Sequence, residues 1–199
     1  MSEPEKKQRK PSARAEKSKE AIVAAFVELV REGNRRPTAP VIAERAGVSE
    51  RLVYHHFKDM KRLLLESHRI NRPVVAPLLE DLIFEGTFKE RRDYFVKARA
   101  KAYEFVQHNR RYSYHHAFRS REISDFLLSF WQTEGAQFCH VFAEELEKFS
   151  GEERATREAN LRAVCSWNYW EILRQIEGLS VARAKAAVSK AITQILLVS

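Results

Sequence analysis

Glu50, Arg51, Tyr54 and His55 stand close together in this 199-residue chain, and Leu52, Val53 and Phe57 interleave with them. A helix over the stretch turns the polar set outward and the apolar set inward. The outward groups suit recognition of a duplex. The guanidinium fork of Arg51 can grip guanine O6 and N7 in a bidentate contact worth ~1–3 kcal/mol. His55 could read a base edge or touch a phosphate. Glu50 could accept from cytosine or complement the positive start of its own helix. Thr38, Ser49, Tyr54 and Lys58 offer hydroxyls, helix starts and charge for phosphate positioning. A short helix so divided fits a major groove.

Other chemistries find less support. His115 and His116 are neighbours, so on a helix they diverge by about 100° and chelate poorly together. His140 and Glu144 are four apart and share a face, yet one pair falls short of a metal site. Cys139 sits beside His140, where helical neighbours again point apart, and a buried thiol is the better reading. Cys139 and Cys165 are the two cysteines, far apart and without metal spacing. Gly-x-Ser-x-Gly, phosphate-loop and dinucleotide fingerprints are missing. The expectation is a non-enzyme with no metal and no cofactor.

The elements that position the polar set can be read from their punctuation. Thr38 starts a helix, its side-chain oxygen placed to accept from first-turn N–H groups. Pro40 falls in that turn, where a missing N–H costs nothing. Val41, Ile42 and Ala46 form the apolar face, and Gly47 ends the helix in a left-handed residue. Ser49 caps the next helix. Upstream, Ser18 to about Glu32 is amphipathic through Ile22, Ala25, Phe26, Leu29 and Val30, and Gly33-Asn34 stops it. Downstream of a Lys58-Asp59 turn, a fourth helix carries Leu63, Leu64 and Leu65 to about Asn71. Pro73 and Pro77 then break the pattern and mark a boundary.

Ile42-Ala43-Glu44-Arg45-Ala46-Gly47-Val48-Ser49, followed by Val53-Tyr54-His55-His56-Phe57-Lys58, closely resembles the helix-turn-helix of the TetR family of transcriptional regulators. Ile22-Val23-Ala24-Ala25-Phe26 with Gly33 resembles that family's first helix and its stop. The likeness covers roughly the first third of the chain. It implies a fourth helix that connects ligand binding to the DNA-reading head, and a C-terminal domain that releases DNA when a small molecule binds. Two positions depart from the family pattern. Met60 stands where a phosphate-directed lysine is usual, so that contact is not carried over, although Lys58 or Lys61 could substitute. Leu52 replaces a small or hydroxyl residue. His56 matches the family, with a structural role expected rather than a DNA contact.

Charge agrees with a nucleic-acid partner. The chain is +8 overall, and up to Arg69 it holds 16 Lys/Arg against 10 Asp/Glu, leaving 19 against 17 in the other 130 residues. The excess sits on the third that carries the helix-turn-helix, where it would displace condensed counterions. Residues 1–17 are basic and poor in apolar groups, so a disordered arm is expected. No run of apolar residues is long enough for a membrane span, and the N-terminus lacks the pattern of a secretory signal. A cytoplasmic protein is expected.

From Pro77 onward the pattern is helical throughout, with helices over roughly 77–84, 87–108, 111–118, 121–147, 153–177 and 180–198. Gly86, Asn109, Ser150-Gly151 and Gly178 serve as stops. Along 153–177, Leu161, Val164, Cys165, Asn168, Ile172 and Ile176 form one stripe, with Trp167 and Trp170 partly off it. The last helix adds Val188, Ile192, Ile195 and Leu196 among small residues. Helices apolar on two sides must bury both, which points to a homodimer through the last two helices, also the family's habit. Two heads would then read a palindromic operator on double-stranded DNA. Tyr103, Phe130, Trp131, Trp167 and Asn168 are the expected lining of a pocket for a hydrophobic or aromatic effector.

The whole reads as all-α: an arm (1–17), a helix-turn-helix domain (18–72, motif 38–57) and a helical ligand-binding and dimerisation domain (73–199). The function expected is a sequence-specific regulator, most simply a repressor. A helical enzyme or small-molecule-binding bundle without a regulatory role is the alternative.

Overall fold

The structure, a computed structural model, describes residues 13–80 and 86–198. Among the described residues every regular element is helical, in agreement with the all-α expectation. The chain divides into two units, Met1–Ile70 and Asn71–Ser199.

The first unit holds α1 (Ala13–Arg31), α2 (Ala39–Ala46), α3 (Glu50–His56) and the start of α4 (Met60–Glu80). Helix α1 begins at Ala13 rather than Ser18, so residues 13–17 of the expected arm are helical. That run holds Ala, Arg, Glu and Lys, all good helix formers, and Glu16 complements the positive end of the helix. The rest of the arm, residues 1–12, lies outside the described residues. Ile22, Phe26, Ile42, Val53 and Leu63 are fully enclosed, with Phe57 nearly so. Helix α2 turns Ala39, Ile42 and Ala43 into this core, and Val41 falls off that stripe and faces solvent, contrary to expectation. Arg45 holds Glu32, just past the end of α1, with two hydrogen bonds of 2.8 Å, fixing α2 across that end.

Pro73 and Pro77 do not end α4, which runs through both to Glu80. They lie four residues apart, so the N–H groups they lack fall on a single stripe while the other backbone bonds continue. Of the helix expected at 77–84, residues 81–84 lie outside the described residues.

The second unit is built on α5 (Phe88–Ala117), which opens with a capping box between Thr87 and Glu90. It packs against α6 (Arg121–Val141), α9 (Trp167–Glu171) and α10 (Val181–Leu197). Asn109, expected as a stop, sits buried inside α5. Its weak preference for helix ends is overridden by burial against the core. The expected helix 121–147 breaks at Phe142, whose ring is fully buried, and resumes as the short α7 (Ala143–Leu146). Likewise 153–177 is not one helix. It divides into α8 (Gly151–Val164) and α9, with Ser166 capping α9 by accepting from the Tyr169 N–H at 3.2 Å, and then continues as a π-helical turn over Ile172–Ile176. The break re-aims the side chains: Trp167, Trp170 and Leu173 enter the core, while Asn168, Ile172 and Ile176 face out. The single stripe expected through Leu161, Asn168 and Ile176 therefore does not exist.

Candidate nucleic-acid interface

The turn between α2 and α3 sets the geometry of the head. Gly47 adopts φ 66°, ψ 34°, a left-handed conformation that costs an L side chain about 1–2 kcal/mol. Its N–H and that of Val48 close on the Ala43 and Glu44 carbonyls, which ends α2 and redirects the chain. Ser49 then caps α3, its Oγ accepting from the Leu52 N–H at 3.3 Å. The cap uses a lone pair only, so the Ser49 O–H is left to donate. Thr38 occupies the capping position of α2, but its side chain accepts no cap bond, contrary to expectation. Its hydroxyl is thus not used by the first turn of α2, and Thr38 is exposed.

On α3, Val53 is fully buried and Phe57 is enclosed at the end, while Leu52 is half-buried. The opposite face carries Glu50, Arg51, Tyr54 and His55, all exposed; Thr38, Ser49 and Lys58 are exposed as well. The structure therefore holds all seven expected DNA-contacting residues on the surface of the first unit. Lys61 and Arg62 add positive charge at the start of α4, which Asp59 caps by accepting from the Arg62 N–H at 2.9 Å. Met60 is half-buried.

His56 is turned away from this face. Its Nε2 lies 2.8 Å from Ser18 Oγ, and Ser18 donates its own proton to the Ala15 carbonyl at 2.9 Å. One hydroxyl has one proton, so Nε2 of His56 must be the donor in their contact. Burial, with the nearby charges of His55 and Lys19, lowers the His56 pKa below its usual 6.5. A neutral His56 thus ties α3 to α1.

The expected effector-lining residues separate in the second unit. Tyr103 is buried and donates to the Cys165 carbonyl at 2.9 Å, with Trp167 edge-on to its ring at 5.6 Å. Phe130 approaches the same place, since Arg110 lies over Tyr103, Phe130 and Trp167 at 5.2–5.8 Å from each ring. Trp131 and Asn168 are exposed, although Asn168 bonds Tyr114, which in turn bonds Arg110. What sequence reasoning missed is that three arginines of α5 are buried, Arg91, Arg99 and Arg110, the last two among the aromatic rings. Arg99 and Arg110 fall at core spacing with Phe95 and Tyr103 along α5, but that spacing alone does not tell a buried arginine from one at the edge of an apolar face. Burial raises the pKa of the Cys139 and Cys165 thiols, against thiolate chemistry at either. Among the described residues, no three His, Cys, Asp or Glu side chains are placed to hold a metal ion, and no helix is long and apolar enough to cross a membrane.

Comparison with known proteins agrees with this geometry. No curated protein matches the chain. The fold is shared with the crystal structure of a transcriptional regulator from Rhodococcus sp. Rha1, with a TM-score of 0.64 at 17% identity over 92% of this chain and 95% of that one. Residues 21–67 match the family model for bacterial regulatory proteins of the tetR family, a span that takes in most of α1, all of α2 and α3, and the start of α4. In this N-terminal helix-turn-helix the chain is similar to the bacterial regulatory proteins of the tetR family.

Proposed function

We propose that the protein is a dimeric repressor that holds a palindromic operator and leaves it when a small effector binds the second unit. The observation that carries this is the division of α3, with Val53 locked in the core and Arg51, Tyr54 and His55 presented outward. Arg51 reads guanine, Tyr54 and Lys58 hold phosphates, and the α2 corner at Thr38 meets the backbone through its hydroxyl and N–H groups. Ser49 donates to a further phosphate.

One such helix contacts too few base pairs to select a site in a genome, so a second copy is required. Support for a dimer comes from α8 and α10, which border an open groove of about 920 Å³. Its floor includes Ala163, Val164, Ala191, Ile195 and Val198, with Gln194 and Asn160 among the polar groups. A helix of a second protomer is the occupant that suits it, and the two heads would fall on half-sites about 34–36 Å apart or somewhat more.

The test is binding of the full chain to the DNA flanking its own gene, by fluorescence anisotropy with random duplex as competitor. Sequence-selective, salt-dependent binding is expected. Equal affinity for specific and random duplex at every salt concentration would sink the reading.

A further inference from the structure

Helix α5 has a core face that does not balance its charge. Phe95, Arg99 and Tyr103 follow at intervals of four, with Arg110 two turns further, and all are buried. Opposite them α6 supplies Glu134, Gln137 and Phe138. Arg110 clamps Glu134 through both terminal nitrogens, at 2.9 and 3.0 Å. The same carboxylate lies 3.6 Å from Nη1 of Arg99, so one acid serves two guanidinium groups. Arg99 donates from Nη2 to Gln137, but its Nε and Nη1 make no hydrogen bond. The Arg99 side chain is only 4% exposed and is walled by Phe138, Phe95 and Tyr103, with ring centres at 4.5, 5.7 and 5.9 Å. A buried cation with unfilled donors is costly, and aromatic faces offset only part of that cost.

Arg99 also lines a small cavity of about 10 Å³ together with Tyr103, Cys165, Ser166 and Trp170. That is room for one water-sized group, the size of a ligand's polar head rather than its body. We propose that the second unit binds a small organic monocarboxylate, the carboxylate taking the unfilled donors of Arg99 and the apolar body inserting among Tyr103, Phe138 and Trp170. The proposal rests on the reading of this unit as the effector-binding one, and it assigns the effector's chemical class. Insertion must part α5 from α6 and α9, because the cavity is too small for the body. A ligand that favours the parted arrangement has the differential affinity that a switch requires.

The full-length protein is titrated with phenylacetate, cinnamate and octanoate, each beside its neutral amide and beside sodium chloride at matched ionic strength. Melting temperature and tryptophan fluorescence are read. At a hundredfold excess over its Kd, at least one acid is expected to raise the melting temperature by about 5–10 °C. The amides and chloride leave it unchanged. Arg99→Gln is expected to weaken that acid by about tenfold or more, and Arg99→Lys to recover part of the loss. No response to any acid, an equal response to its amide, or an equal response to chloride would each overturn the proposal. Should Arg99→Gln not fold, the comparison of acid with amide on the unaltered protein decides. DNA binding without ligand is measured on the same preparation. A protein that binds DNA but no carboxylate overturns this site alone, and one that binds carboxylate but no DNA supports the site and overturns the regulatory reading.

Discussion

Arg51 and Tyr54 lie one helical turn apart on the exposed face of α3, yet the proposed interface gives them different work. An arginine bidentate to guanine discriminates among bases, whereas a phenolic hydroxyl on a phosphate meets the same partner in every sequence. Arg51→Ala is therefore expected to relax selectivity at one position of the half-site by ~1–3 kcal/mol. Tyr54→Phe should weaken every duplex alike, by about 0.5–1.5 kcal/mol. Anisotropy against a set of single-base operator variants separates the two patterns; if Arg51→Ala ranks the variants as the parent does, Arg51 is not the base reader. His56 makes a prediction of another kind. Its pKa is lowered in the folded head, so below the unfolded value near 6.5 the unfolded chain binds the extra proton more readily. Stability from this group is complete above pH 6.5 and is lost as pH falls through the window between the unfolded and folded values. Melting of the protein across pH 7.5 to 5.5 should show a decline that His56→Gln reduces. An identical decline in the variant would assign the pH response to other groups.

Among the elements, the α2–α3 turn has its whole logic in one residue's backbone. Gly47 has nothing within 4 Å of the position a Cβ would take, so Gly47→Ala adds no clash and probes the left-handed conformation alone. The expected cost is about 1–2 kcal/mol of stability in the first unit, read by urea denaturation; a neutral effect would mean that the turn is not held at a positive φ. This turn and its neighbours were legible in the sequence because Pro40, Gly47 and Ser49 act through local backbone chemistry. The inward set of α1 was legible too, since its apolar spacing has one solution. Elements set by packing were not. Asn109 reads as a stop and is a buried residue of α5; Cys165-Ser166 reads as continuous helix and is a break. Thr38 shows that a capping residue type need not make the cap. Arg99 and Arg110 were invisible as core residues because arginine is ordinarily a surface side chain, and only the opposing Glu134, 24 residues from Arg110, reveals their role.

At the scale of the whole molecule, the proposed recognition depends on joining two heads. Avidity from a tether that holds both half-sites multiplies affinity by about 10²–10⁴ without any new base contact. If the groove between α8 and α10 is the seat of a second protomer, a charge placed in it should abolish DNA binding from a distance. Val198 suits that test because it lines the groove and is 56% exposed, so its replacement leaves the core of the second unit intact. Val198→Asp is expected to shift the protein from dimer to monomer by sedimentation while its helical content is retained. Affinity for the full palindrome should fall on the order of a hundredfold or more, whereas affinity for an isolated half-site should not change. The two measurements constrain each other. A variant that becomes monomeric yet keeps its palindrome affinity would show that the heads do not act as a tethered pair. A variant that remains dimeric would move the contact between protomers to another face, with the exposed Ile172 and Ile176 of the π-helical turn next in line.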